Sequence, residues 1–404
     1  MDTFEATRLR EAGLVAIREN RFEEAVQLFE SSLRLEPRSS TTHRELGVAC
    51  QDLLRYDDAV AHYRAGLEIA PDDGDLHVYL ALALLTLGDY ENGWREFEWR
   101  WRSGRLNTQR LEFDAPLWDG SDIAGRRLLI YAEQGLGDVI MLSRYATQLA
   151  ERGVTVYFGC QPPLETLLAT VPGVSRSASR FDQTPEFDLQ LPSFGLPLAM
   201  GARLETIPRR VPYVFADPRR AEAWRKALEP IDGFRVGLAW SGSPRNMNDR
   251  NRSVPLPLFA PLGEVEGVRF LSVQKGERAG DMPPPSLGLL PTEFDDFADC
   301  AALMANLDLV ISVDTGTAHL AAALGRPTWT LIPYVPDWRW MLGRDDSLWY
   351  PTMRLFRQTT RGDWEGVMRR VTAALRELVD ARQAGATTPK GLDLEAQGRA
   401  AHPG

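Results

Sequence analysis

The chain has 404 residues, with 56 acidic against 46 basic side chains and a net charge of -10. Two to three domains are expected at this length, each with its own core. The acidic balance argues against nucleic acid as a general partner. Cys50, Cys160 and Cys300 are widely spaced without a CxxC, which disfavours a disulfide framework or zinc site and fits a reducing compartment. The first residues show no basic stretch leading into an apolar core, and no run approaches about 18 apolar residues. The expectation is a cytoplasmic protein with no secretory signal and no transmembrane segment.

The N-terminal part repeats. Pro37 and Pro71 stand 34 residues apart and their surroundings align. Phe22, Ala25 and Phe29 of the first unit answer to Tyr56, Ala59 and Tyr63 of the second, which also carries Leu46 and Gly47. Leu80, Gly88, Tyr90, Gly93 and Phe97 form a third, partial copy. This period and pattern match tetratricopeptide repeats, in which small residues let paired helices approach and aromatic residues fill the space between them. Stacked helix pairs present a curved surface suited to peptide or protein. Trp94, Phe97 and Trp101 share one helix face, and packing in the seam between the repeats and the next domain is expected of them rather than sugar stacking.

From Gly125 the pattern becomes alternating. Strands are predicted over 127–132 and 154–159, with helices over 139–152 and 163–170. A proline-rich hinge covers 206–218. A second series follows, with strands over 235–240, 268–273, 309–313 and 328–331. Helices are predicted over 297–306, 317–324 and 363–379. This alternation implies parallel β-α-β units. The fold class is therefore α/β with an all-α N-terminal repeat. Helical hairpins span 1–105, and two Rossmann-like domains span 106–215 and 216–382. Two such domains in tandem place a cleft between the carboxyl ends of two sheets, the usual ligand position in such folds. A tail over 383–404, rich in Ala, Gly, Pro and Thr, is expected to be disordered.

Several strand ends carry polar turns. Asp314-Thr315-Gly316-Thr317 follows an apolar β-branched run, and His319 lies one turn into the helix that follows. Free N–H groups at a helix start favour an anion, and the two threonines add hydroxyl donors. Gly135-Leu136-Gly137-Asp138 lacks the third glycine of a dinucleotide fingerprint, which disfavours a nicotinamide cofactor. Its glycines permit close backbone approach, and Asp138 is either a helix cap or a carboxylate that takes a proton from an attacking hydroxyl. Trp240-Ser241-Gly242 and Gln274-Lys275 end two further strands, and Arg245, Arg250 and Arg252 follow the first of these. A guanidinium beside a pyrophosphate stabilises the charge that develops on a leaving group. Pro336-Asp337-Trp338-Arg339-Trp340 admits either stacking on a base or sugar, or plain packing. The Asp-x-Asp at Asp73-Gly74-Asp75 lies in a repeat turn. No metal site or other cofactor is expected, and arginines and helix starts would neutralise a diphosphate.

Four segments together carry a resemblance. They are Ala132-Glu133-Gln134-Gly135-Leu136-Gly137-Asp138, Asn248-Asp249-Arg250-Asn251-Arg252-Ser253, Asp314-Thr315-Gly316-Thr317-Ala318-His319 and the 336–340 segment. The chain resembles bacterial tetratricopeptide proteins fused to a two-domain GT-B glycosyltransferase, similar to family 9 heptosyltransferases. The resemblance implies Asp138 as catalytic base and Asp314, Thr315, Gly316 and His319 as contacts to the donor diphosphate. It also implies a cationic contact from Arg250 or Arg252, between which the sequence does not choose. Inversion at the anomeric carbon is the implied outcome. The repeats depart from lipopolysaccharide heptosyltransferases and look more like protein O-glycosyltransferases, including flagellin-modifying enzymes.

The leading expectation is thus a metal-independent inverting glycosyltransferase. It would move a sugar from a nucleotide-sugar to a protein Ser or Thr recruited by the repeats. Its donor contacts would come from Gly135, Gly137, Trp240, Ser241, Gly242, Arg250, Arg252, Gln274, Lys275, Asp314, Thr315, Gly316, Thr317 and His319. The alternatives are an enzyme acting on lipopolysaccharide or another glycan, and an adaptor with an inactive transferase half.

Overall fold

A computed structural model of the protein describes residues 2–105, 110–244, 246 and 248–385. Two compact units divide the chain. One consists of Met1–Glu112, Pro197–Ile207 and Val335–Gly343, and the other takes Phe113–Leu196, Pro208–Tyr334 and the chain from Arg344 onward.

The first unit is helical. Its hairpins are α1 (Asp2–Arg18) with α2 (Phe22–Leu35), α3 (Ser40–Asp52) with α4 (Tyr56–Ile69), and α5 (Gly74–Leu87) with α6 (Tyr90–Phe97). The glycines of the repeat seat its aromatics. A Cβ on Gly13 would lie 2.8 Å from Cδ1 of Phe29, and one on Gly47 the same distance from Cδ1 of Tyr63. Helices α2 and α4 stop two residues before Pro37 and Pro71, as proline requires. Each hairpin turns through the left-handed region, at Asn20, Leu54 and Gly88, with φ of 59°, 60° and 91°. Asp73 caps α5 by accepting the N–H groups of Asp75 and Leu76. The stripe at Trp94 and Phe97 is buried. Trp94 packs edge-on against Trp338 of the 335–343 segment, with ring centroids 5.1 Å apart.

The second unit holds two all-parallel sheets. Its first sheet is built by β1 (Arg127–Tyr131), α7 (Leu136–Ser143), α8 (Tyr145–Glu151), β2 (Thr155–Gly159), α9 (Glu165–Leu168), β3 (Val174–Ala178) and β4 (Leu189–Pro192), and the short α10 (Leu196–Ala199) that follows belongs, after Leu196, to the first unit. The strand order is β3-β2-β1-β4. Next come α11 (Pro218–Ala227), β5 (Phe234–Ala239), α12 (Asp249–Arg252), β6 (Val268–Ser272), α13 (Phe297–Met304), β7 (Leu309–Val313), α14 (Gly316–Ala323), β8 (Thr328–Ile332), β9 (Met353–Arg357) and α15 (Trp364–Gln383). These strands run β6-β5-β7-β8-β9. All five residues of β7 and of β8 are buried, as expected of strands covered on both faces. Trp364, Val367, Val371 and Leu375 of α15 close the core on β5 and β7 residues such as Val236 and Ile311.

Three strands escape the sequence pattern, β3, β4 and β9, and all three are sheet edges. An edge strand has one unpaired side and tolerates polar residues and proline. Accordingly β3 reads Val-Ser-Arg-Ser-Ala and β4 ends in Pro192. The helix expected over 139–152 is two helices, α7 and α8, parted at Arg144. The tail expected beyond Gln383 lies, from residue 386 on, outside the described residues.

Candidate functional site

The second sheet reverses its winding between β5 and β7, since β6 lies beyond β5 and β8 beyond β7. Ligands in parallel α/β sheets sit at the carboxyl ends of strands flanking such a reversal. Register pairs Ala239 with Ser312. The turn Trp240-Ser241-Gly242 therefore lies beside the turn Asp314-Thr315-Gly316.

Helix α14 opens from the second of these turns. Thr315 is its N-cap in extended backbone, and its side chain makes no cap hydrogen bond. Thr317 is half-buried in the first turn. Helix α7 begins at Leu136, after Gly135. The two starts meet: a Cβ on Gly137 would lie 2.7 Å from His319 Cδ2 and 3.3 Å from Gly316 Cα. Each start carries a partial positive charge, and two of them side by side make a place for an anion. Only a residue without a Cβ at 137 permits this approach.

Asp138 is half-buried in the first turn of α7, and its Oδ2 accepts the Gly135 N–H at 3.1 Å. That bond fixes the carboxylate at the mouth of the helix and uses one of its roughly four acceptor positions. His319 is buried, and its Nδ1 lies 2.8 Å from the Tyr350 hydroxyl. Its Cδ2 edge faces Gly137.

The arginine left open by the sequence is distinguished by position. Arg252 Nη1 donates to the Asp314 carbonyl at 2.9 Å and Nε to Asp249 Oδ1 at 3.3 Å. Its Cζ would lie 2.6 Å from a Cβ on Gly242. Arg250, on the same short helix, is exposed, and Arg245 lies outside the described residues. Asp249 is buried and also accepts from Ser253 Oγ at 3.0 Å, while that oxygen accepts the Gly242 N–H at 3.1 Å. Thus α12 is laced onto the turn after β5. Ser241, in that turn, is buried, and its Oγ has no hydrogen-bond partner among the described residues. A buried hydroxyl left so costs about 1–3 kcal/mol unless a ligand or water satisfies it.

Three expected donor contacts have other engagements. The Trp240 side chain is in the core, and its indole N–H donates to Asp281 at 3.0 Å. Gln274 spends its amide on backbone: Oε1 accepts from Trp240 and Ser241 at 3.0 and 2.9 Å, and Nε2 donates to the Ser241 and Lys275 carbonyls. It shapes the turn. Lys275 is exposed, and its ammonium bonds the Phe294 carbonyl and lies 4.8 Å from that ring. The 336–340 segment packs within the repeat unit. Trp338 and Trp340 are buried there, and Arg339 pairs with Asp337 at 2.6 Å and lies over the Trp338 ring.

Sequence reasoning missed the groups behind His319. Arg144 is 2% exposed, in the break between α7 and α8. It donates from Nε to Met141 O (2.7 Å), from Nη1 to Pro208 O (2.7 Å) and Trp349 O (2.6 Å), and from Nη2 to the Tyr213 hydroxyl (2.9 Å). Its Cζ lies 4.5, 4.6 and 5.3 Å from the rings of Tyr213, Tyr350 and Trp349. Burial opposes its charge, but Tyr213 and Tyr350 outweigh burial and hold its pKa above the ordinary arginine value. These partners are up to 205 positions away, so no local pattern announces them. The one signal is an arginine interrupting the apolar run from Val139 to Tyr145.

Comparison with known proteins gives matches of three kinds: to families, to a curated relative and to solved structures. Residues 288–340, which include β7 and α14, match glycosyltransferase family 9 (heptosyltransferase). Residues 10–73 and 51–93 match the tetratricopeptide repeat. Protein FlbA of Caulobacter vibrioides is 29% identical over 321 residues, covering 73% of this chain and 54% of FlbA. The chain thus spans about half the length of that curated relative. Among solved structures, the E. coli ADP-heptose lipopolysaccharide heptosyltransferase II is 14% identical, covering 64% of this chain and 99% of its own, with a TM-score of 0.47. A family 9 glycosyltransferase from Veillonella parvula is 12% identical, covering 64% and 98%, with a TM-score of 0.47. The chain carries tetratricopeptide repeats and, further along, a segment that matches glycosyltransferase family 9, and that family match supports a glycosyltransferase. Among the described residues, no helix is long and apolar enough to cross a membrane.

Proposed function

We propose that the chain is an inverting glycosyltransferase of GT-B arrangement that uses a nucleotide-sugar donor and needs no metal. The observation that carries this reading is the meeting of two helix starts at Gly137 and Gly316, with the Arg252 guanidinium on the Asp314 carbonyl. A diphosphate placed there accepts from helix N–H groups, from Arg252 and from the buried Ser241 hydroxyl. Such fixed donors stabilise the charge that the leaving group acquires.

Chemically the step is one displacement. The acceptor oxygen attacks the anomeric carbon as the bond from that carbon to the diphosphate oxygen breaks. Asp138 takes the hydroxyl proton, the electron pair leaves on the nucleoside diphosphate, and the configuration inverts. Asp138 follows Gly137 directly on α7, so the carboxylate lies close to the proposed anion site. The repeats recruit the acceptor, and a protein Ser or Thr hydroxyl fits their usual ligand class.

The test is product formation from a panel of nucleotide-sugars by the wild type and Asp138→Asn, with intact-mass analysis of candidate acceptor proteins. A general base contributes about 10²–10⁴-fold, and a loss of that size with diphosphate binding retained supports the assignment. Equal turnover by the variant removes Asp138 from the mechanism. Unchanged protein masses alongside a modified glycan move the acceptor to a glycan. No binding of any nucleoside diphosphate in calorimetry leaves an adaptor.

A further inference from the structure

A directed chain of hydrogen bonds runs from a buried cation to the site histidine. Arg144 Nη2 lies 2.9 Å from the Tyr213 oxygen, that hydroxyl donates to the Tyr350 oxygen at 3.3 Å, and Tyr350 lies 2.8 Å from His319 Nδ1. A guanidinium has no acceptor and does not deprotonate in proteins. It fixes the direction of the first link, and the Tyr213 hydroxyl donates onward to Tyr350. Tyr213 must accept from Arg144, which leaves its own hydrogen for Tyr350. Tyr350, accepting from Tyr213, has its hydrogen for His319.

We infer that Arg144, Tyr213 and Tyr350 are positioning residues that hold His319 neutral as the Nε2–H tautomer, so that it offers a hydrogen-bond donor to a phosphoryl oxygen of the donor substrate. In this state Nδ1 accepts from Tyr350. The opposite nitrogen, bonded to Cδ2, carries the hydrogen. Cδ2 is the ring atom that faces Gly137, where the two helix starts meet. A histidine whose tautomer floats spends part of its time with a lone pair aimed at an anion, which repels it. The relay removes that state.

The surroundings fit a fixed device. His319, Tyr350 and Arg144 are at most 3% exposed, and Tyr213 is also buried. The named partners of Arg144 are carbonyls, a hydroxyl and three aromatic faces, and none of them is a carboxylate. Its charge is thus offset by dipoles and ring faces, and none of those partners is an acid that would reverse the polarity of the relay. It also sits at the carboxyl end of α7, where the helix dipole favours a cation. The ring nitrogen that carries the hydrogen is in general set by the bond that the other nitrogen makes.

The tautomer assignment stands on the hydrogen-bond geometry from Arg144 to His319, while its use toward a phosphoryl oxygen rests on the proposed transferase reading. The experiment separates them. Protein labelled with ¹⁵N at histidine is examined by long-range ¹H–¹⁵N correlation, with the His319 signals identified by their loss in His319→Gln. The wild type is expected to show Nε2 protonated and Nδ1 bare. Tyr350→Phe keeps the ring and removes the donor, and should give mixed tautomers. A fall in kcat of roughly tenfold is expected, the scale on which losing a histidine's orienting partner lowers activity at metal sites, with KM for the nucleotide-sugar changed less. Tyr213→Phe should fall between the two. A protonated Nδ1 in the wild type overturns the inference, and that spectrum needs no substitution at the relay. So does an unchanged tautomer in a folded Tyr350→Phe. If the tautomers behave as expected but uridine, adenosine, guanosine and cytidine diphosphates leave the His319 signals unmoved, the transferase reading fails and the relay survives.

Discussion

A Cβ on Gly137 would stand 2.7 Å from Cδ2 of His319, so two helix starts from different sheets touch through a glycine and an imidazole. Gly137→Ala should force the ring away or part the helices. Overpacking of this kind costs about 1–3 kcal/mol. The expected result is a lower melting temperature together with weaker nucleoside diphosphate binding. Gly280→Ala is the control, because nothing lies within 4 Å of a Cβ there. Equal melting of the two variants would show that the contact is loose.

Arg252 and Arg250 share the short helix α12 but differ in surroundings. Arg252→Met should weaken binding of nucleoside diphosphate by about 10–100-fold, the scale of a lost charge-assisted bond of about 1.5–3 kcal/mol. Arg250→Met, at an exposed position, should leave binding nearly unchanged. Titration calorimetry on both variants decides. A larger effect at Arg250 would reverse the assignment.

How much of this was readable in advance can be seen at particular positions. The repeat was plain because one helical hairpin is a local object: Gly47 meets Tyr63 within a single unit. The strand ends at Ser241 and Asp314 were readable because β-branched runs ending in polar turns are local too, and parallel winding then brings neighbouring ends together. Edge strands β3, β4 and β9 were not, since pairing on one side imposes little composition. Gln274 shows a subtler limit. A polar side chain at a strand end reads alike whether it faces a ligand or holds the turn, and here it holds the turn. Arg144 and Tyr350 meet only through the tertiary fold, beyond the reach of any spacing rule.

In the repeats, His43 and His62 face each other with their Nδ1 atoms 3.3 Å apart. Burial lowers both pKa values below 6.5, and for His62 the charge of His43 lowers it further. The folded state therefore disfavours protonation relative to the unfolded chain. Stability from this source is full above about pH 6.5 and is lost as pH falls below it. Both rings are partly solvated, so the effect is modest. Thermal melts at pH 7.5 and 5.5 should show a drop in the wild type that is smaller in His62→Gln. Identical drops would exclude the pair as its cause.

All three cysteines are buried and unpaired. Burial pushes the Cys50 thiol up to about 11 and Cys160 to about 12, and raises Cys300 as well. The thiolate is the reactive form, so native protein at pH 8 should resist iodoacetamide at all three positions. Denaturant should expose them. Rapid alkylation of the native protein, read by mass spectrometry, would contradict this burial.

Trp338 belongs to the repeat unit although it lies between β8 and β9, and it fits edge-on to Tyr90 and Trp94. Synthesis delivers the first hairpins early but this plug late. At about 5–20 residues per second, the aromatic face of α6 stays bare for on the order of ten seconds or more after it emerges from the ribosome. A nascent chain cut short before Gly343 lacks the plug and presents that greasy face to its neighbours, so the repeats reach their finished form only after most of the transferase portion has been made.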